Sequence, residues 1–107
     1  MKEAEKRRIE GRAAILKALA HPSRLLIVEK LSEKPYCVFE LTSMIGADTS
    51  TVSKHLSILK NAGIISDRKK GTSVYYSLEA PCLLRLLGCV ESVIQNNLQR
   101  QLSYLKP

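Results

Sequence analysis

Tryptophan is absent from this chain, phenylalanine occurs once and tyrosine four times. A core poor in aromatic rings must be filled by Leu, Ile, Val and Ala, the composition of packed helices rather than of an aromatic-rich sandwich. Long apolar runs are also missing: none approaches the roughly 18 residues of a membrane span. The opening MKEAEKRRIEGR lacks the apolar centre of a signal peptide, so the expected location is the cytosol. Three widely spaced cysteines, an odd number, argue against a disulfide framework and leave core packing, metal binding or redox sensing. Acidic residues are the minority, 10 against 17 Lys and Arg, which gives a net charge of +7 and favours a polyanionic partner. There is no phosphate-binding Gly loop, no Ser-His-acid set, and His occurs only at 21 and 55, so an enzyme is not expected.

What is present suits one domain spanning 1–107: 45% apolar residues in 107, without repeats, low-complexity tracts or an interdomain linker. The expected class is mainly α with a small β-hairpin. Residues 3–20 favour a helix with Ile9, Ala13, Leu16 and Ala20 on one stripe. His21-Pro22 ends it, because proline disfavours α geometry in the residue before it, and His21 is expected to be a solvated junction residue. Pro22 suits the first turn of a second helix reaching about Ser32, with Leu25, Leu26, Val28 and Leu31 inward. After the polar break Glu33-Lys34-Pro35, residues 38–62 divide into two short helices. Gly46 closes the first and Asp48 caps the second, leaving a turn of about three residues. Two strands follow within 64–78, joined by Lys69-Lys70-Gly71-Thr72, which places Arg68, Lys69 and Lys70 at a hairpin tip. Pro81 then opens a last helix within 81–107. Its Leu83, Leu87, Val90, Ile94 and Leu98 recur at helical spacing, widened by Leu84, Leu86 and Val93. That is more apolar surface than one small domain needs, and with residues 1–20 it predicts dimerisation helices packing across a two-fold axis.

Two short helices joined by a tight turn form a helix-turn-helix, whose second helix reads DNA. Between Asp48 and Lys60 that helix has no acidic residue. Val52, Leu56, Leu59 and the flanking Ile58 make its apolar stripe, while Thr49, Ser50, Thr51, Ser53, Lys54 and His55 are assigned to a polar face able to reach phosphates and base edges. Arg68, Lys69 and Lys70 are assigned to phosphates. A protein-contact adaptor would lack the steep salt dependence of DNA binding, and a first helix resting on a membrane surface is disfavoured by a stripe made mostly of Ala.

The order of elements is that of a winged helix-turn-helix with added terminal helices, and the sequence resembles the ArsR/SmtB transcriptional repressors. The resemblance is carried by ALAHPSRLLIVEKL at 18–31, CVFELTSMIGADTSTVSKHLSILKNAGII at 37–65 and DRKKGTSVYYSL at 67–78. It implies a cytoplasmic homodimeric repressor that needs no cofactor to bind a palindromic operator in double-stranded DNA and releases it when an inducer binds. Arsenic and cadmium sensors of this family carry Cys-Val-Cys followed by Asp-Leu; here the stretch is Cys37-Val38-Phe39-Glu40-Leu41, with only the first cysteine kept. The acidic and histidine ligands of the family's zinc sensors correspond to Ala80, Cys82, Val93 and Asn96, which excludes a zinc site of that kind. Members that sense persulfides place a cysteine where Glu29 stands. Cys37 and Cys82 fall near helix N-termini, a setting that favours the thiolate, the form that binds soft metals and oxidises. Cys37, Cys82 and Cys89 are therefore the candidate ligands for As(III) or a soft ion such as Cd or Pb. Sensing by cysteine oxidation, or by no thiol at all, stays open.

Overall fold

The computed structural model describes all residues from Met1 to Pro107. Five helices and three strands follow one another as α1 (Glu3–Leu19), α2 (Pro22–Leu31), β1 (Tyr36–Cys37), α3 (Val38–Ile45), α4 (Thr49–Asn61), β2 (Ile65–Lys70), β3 (Ser73–Leu78) and α5 (Leu83–Ser103).

Local chemistry sets most of these boundaries. Glu3 and Glu5 in the first turn of α1 and Lys17 in its last complement the helix dipole. Pro22 occupies the first turn of α2, where its missing N–H leaves nothing unpaired. His21 caps that helix, its Nδ1 accepting the Ser23 N–H at 3.0 Å, so it is a half-buried structural residue rather than a solvated junction. Gly46 ends α3 at φ +78°, a left-handed conformation that only glycine adopts without strain.

The sheet has the order β1-β3-β2, all antiparallel. β1 adds a third strand to the expected hairpin, with Tyr36 opposite Tyr76 and Cys37 opposite Tyr75. The hairpin itself is tighter than expected: Lys69 and Lys70 belong to β2, opposite Val74 and Ser73, and the turn shrinks to Gly71-Thr72. A two-residue turn follows the strand twist better than a longer one, with Gly71 at φ +65°.

The core is one cluster: Ala18 and Leu19 of α1, Ile27, Val28 and Leu31 of α2, Leu41 of α3, Val52, Leu56 and Leu59 of α4, with Ile64 and Ile65 entering β2. Ile27 is fully buried and Leu26 only half, so α2 turns a slightly different face inward from the one expected. Only the ends of the terminal helices join this body. Ile15, Ala18 and Leu19 of α1 pack on it, as do Leu83, Leu84 and Leu87 of α5. The stripe of Ile9, Ala13, Leu16 and Ala20 faces solvent. With both helices projecting, the radius of gyration is 17.2 Å, against about 13 Å for a compact chain of this length.

Candidate nucleic-acid interface

α4 is presented by its caps. The Asp48 carboxylate accepts the Thr51 N–H at 2.7 Å and the Ser50 hydroxyl at 3.0 Å, satisfying donors that the first helical turn would otherwise leave open. Those hydrogen bonds, from Thr51 foremost and then Ser50, hold the Asp48 carboxyl below the usual carboxylate range. At the other end Lys60 forms an ion pair with Asp67 of β2 at 2.8 Å, and that hydrogen bond raises the ammonium above the usual lysine range. Burial, with Asp67 adding to it, likewise raises the neighbouring Tyr76 phenol.

Between these anchors Thr49, Ser50, Thr51, Ser53 and Lys54 are exposed, with Ser57 and Asn61 continuing the polar surface. Val52, Leu56 and Leu59 are at most 1% exposed on the opposite face. His55 departs from the sequence-based assignment. It is 9% exposed and points inward, its Nδ1 3.2 Å from Arg24 Nη1 of α2 and its ring 4.4 Å from that of His21. The helical period explains it: positions 52, 55, 56 and 59 share one face, so His55 belongs to the stripe despite its polarity. Ile58, placed beside that stripe from sequence, is 41% exposed.

The wing cations form two groups rather than one tip. Side chains alternate along a strand, so Arg68 and Lys70 share one face of the sheet and Lys69 takes the other. Arg68 and Lys70 border an open groove of about 750 Å³ whose walls include Ser66, Tyr75 and Ser77. All three cations are exposed.

The cysteines lie apart from this surface and from one another. Cys37 is buried at the end of β1 and the start of α3, where its backbone N–H donates to Glu40 Oε1 at 3.0 Å. Hydrogen bonds from the Cys37 backbone and then its thiol hold the Glu40 carboxyl below the usual range. Cys82 caps α5 and Cys89 lies within it, both exposed; Cys82 has helical backbone angles, so the spacing of seven residues puts them on one face about 10 Å apart by helical rise. No three His, Cys, Asp or Glu side chains gather as a metal-binding group within one chain, so the three thiols do not form a common site there.

This arrangement matches known proteins. The family described as "Bacterial regulatory protein, arsR family" matches residues 21–67, from the cap of α2 into β2. The uncharacterized HTH-type transcriptional regulator Rv0081 of Mycobacterium tuberculosis (strain ATCC 25618 / H37Rv) is 34% identical over 96 residues, covering 89% of this chain and 84% of that protein. The crystal structure of NolR from Sinorhizobium fredii superposes with a TM-score of 0.80 at 29% identity, over 87% of this chain and 93% of that one. The solution structure of the homodimeric winged helix-turn-helix DNA-binding domain Mb0332 from Mycobacterium bovis gives 0.78 at 27% identity, over 94% and 93%. With its exposed polar helix set on a three-stranded wing and its sequence matched along most of its length, the chain belongs to the arsR family of bacterial regulatory proteins: it is a winged helix-turn-helix transcriptional regulator and not an enzyme.

Proposed function

We propose that two copies of this chain form a cytoplasmic repressor that holds a palindromic operator and releases it when a thiol-directed inducer binds. The observation that carries the DNA reading is the outer face of α4, exposed and free of carboxylates from Thr49 to Asn61. Thr49, Ser50, Thr51, Ser53 and Lys54 supply hydroxyl and ammonium donors for base edges and phosphates, and Arg68, Lys69 and Lys70 supply cations for the flanking backbone. Dimerisation is supported by the apolar surface left on the terminal helices. Leu86, Val90, Val93, Ile94, Leu98 and Leu102 of α5 are between 36% and 57% exposed, as are Ile9 and Leu16 of α1. A two-fold pair joined there presents its α4 helices about 34–36 Å apart, one turn of DNA.

The inducer in this reading is a trivalent arsenical or a soft ion such as Cd(II) or Pb(II), taken by Cys37, Cys82 and Cys89. Since these do not gather within one chain, a site of three thiolates requires the second copy. The exposure of Cys82 and Cys89 also favours a second reading, in which an oxidant or reactive sulfur species modifies them. In either case release requires the inducer to bind the DNA-free form more tightly than the DNA-bound one.

Fluorescence anisotropy with an operator duplex tests both parts. Affinity is expected to fall steeply with salt through counterion release, and to fall again on addition of arsenite, Cd(II), Pb(II) or a persulfide donor. Affinity indifferent to salt and sequence removes the repressor reading. Retained affinity with every thiol-directed ligand, unchanged in Cys37→Ser, removes the inducer reading alone.

A further inference from the structure

His21 and His55, the only histidines in the chain, meet where α1, α2 and α4 converge, with ring centroids 4.4 Å apart and planes tilted by 41°. Each ring presents Nδ1 to a group that can only donate. His21 Nδ1 takes the backbone N–H of Ser23 at 3.0 Å. His55 Nδ1 lies 3.2 Å from Arg24 Nη1, and a guanidinium has donors and no acceptor. Both contacts therefore require a neutral imidazole carrying its proton on Nε2. Arg24 extends the link to a third element, because its Nε donates to the Ala18 carbonyl at 2.7 Å in the last turn of α1.

The surroundings offer a protonated ring no compensation. From α2 and its cap, Arg24 and His21 face His55; from α1, Lys17 borders the same cleft as Arg24. No carboxylate acts on His55, whose charged and titratable neighbours are His21 and Arg24; the carboxylates of the adjoining elements are engaged elsewhere, Asp48 by Thr51 and Ser50, Glu40 by Cys37 and Asp67 by Lys60. The ion pairs of the protein are Lys6–Glu10, Lys30–Glu33 and Lys60–Asp67, none of which reaches this cluster.

We propose that His55 is a positioning residue for α4: its neutral ring, set against His21 and bonded by Arg24, holds the helix in its DNA-reading pose, and protonation of His55 releases it, so that operator recognition is lost at mildly acidic pH. A second proton on His55 removes the acceptor that ties α4 to Arg24 of α2, and places that cation against the guanidinium in a largely buried site. Burial first, and then the nearby His21 and Arg24, hold His55 below the usual imidazole range. A histidine depressed in the folded state is protonated first in the unfolded chain. The stability it lends is complete above the ordinary value of about 6.5 and is lost as pH falls below it.

The proposal rests on α4 being the DNA-reading helix, and the experiment separates the two. A duplex selected by the protein from a random pool at about pH 8 is titrated down to about pH 5.5 at constant ionic strength, beside a random-sequence duplex. In wild type the selected duplex should lose affinity by up to about tenfold at pH 5.5, the bound set by a ring that titrates below the ordinary value, while the random duplex loses none, because added positive charge does not weaken attraction to phosphates. His55→Gln, whose amide oxygen accepts from Arg24 without titrating, should have a flat profile. Equal profiles for wild type and His55→Gln overturn the proposal. NMR of wild type gives an arm that depends on neither the variant nor DNA: as His55 is protonated, the protection of α4 amides, measured against their intrinsic exchange rates at each pH, should fall. Protection that ignores the titration also overturns it. If no duplex is recovered at any pH, the DNA reading fails, and the exchange measurement still decides whether His55 controls α4.

Discussion

α4 and α5 are both amphipathic, yet they use their apolar faces in opposite ways. In α4 the face is consumed by its own chain, with Val52 and Leu59 at 0% exposure and Leu56 at 1%. α5 is longer, 21 residues against 13, and has no buried residue. Its first turns rest on the body through Leu83, Leu84 and Leu87, after which the same stripe runs on past the domain into solvent. Helical periodicity thus marks both apolar faces alike and does not tell which one the chain itself covers.

Substitutions on the two faces should fail in different ways. The largest effect belongs to Leu59→Ala in α4, which should cost about 2–5 kcal/mol of folding stability by urea titration, since a fully buried leucine leaves a cavity. The contrast with α5 collapses if Leu98→Ala costs as much in dilute solution. Next, Ile94→Asp combined with Leu98→Asp should weaken self-association at least about 100-fold, about 2.7 kcal/mol, in sedimentation equilibrium. Helical content should change little, and unaltered association would show that the α5 stripe is not the interface. On the outer face of α4, Lys54→Ala should cost about 1–3 kcal/mol against the preferred duplex and relax base preference. Lys69→Ala should instead weaken all duplexes alike and lower the salt slope by about one. A Lys54 variant that behaves like the Lys69 variant would reduce α4 to a phosphate contact. The smallest effect is that of Asp48→Asn. The wild-type cap, its carboxyl depressed by Thr51 and Ser50, should help hold the fold above the ordinary carboxyl value near 3.9 and lose that help as pH falls below it. Acid titration followed by circular dichroism should show a shallower loss in the variant.

Punctuating residues made much of the fold legible. Pro22, Gly46 and Asp48 each carry out at their position a task that few residue types can perform, and the limits of α2, α3 and α4 at those points follow from them. β1 was not legible, because two residues have no periodicity and Tyr36-Cys37 becomes a strand only through pairing with β3. The hairpin tip is narrower than the sequence implies for a related reason: Lys69 and Lys70 have weak strand propensity, and pairing with Val74 and Ser73 overrides it. For His55 the spacing from Val52 and Leu59 points inward while its polarity points outward, and position in the helix prevails. The Arg24 and His21 partners that make its burial tolerable lie 31 and 34 positions away, a relation no local pattern contains.

The short pairing of β1 with β3 has a mechanical consequence for the wing. β1 runs directly into α3, and β2 is tied to α4 by Lys60 and Asp67 at 2.8 Å. The hairpin is thereby tied to both helices of the helix-turn-helix rather than to one. In the proposed DNA contact the span from Lys54 to the wing cations acts as a caliper. A duplex whose backbone path does not match that opening must be deformed to fit, at a cost set by its stiffness. Positions that no side chain touches would in this way enter the choice of site.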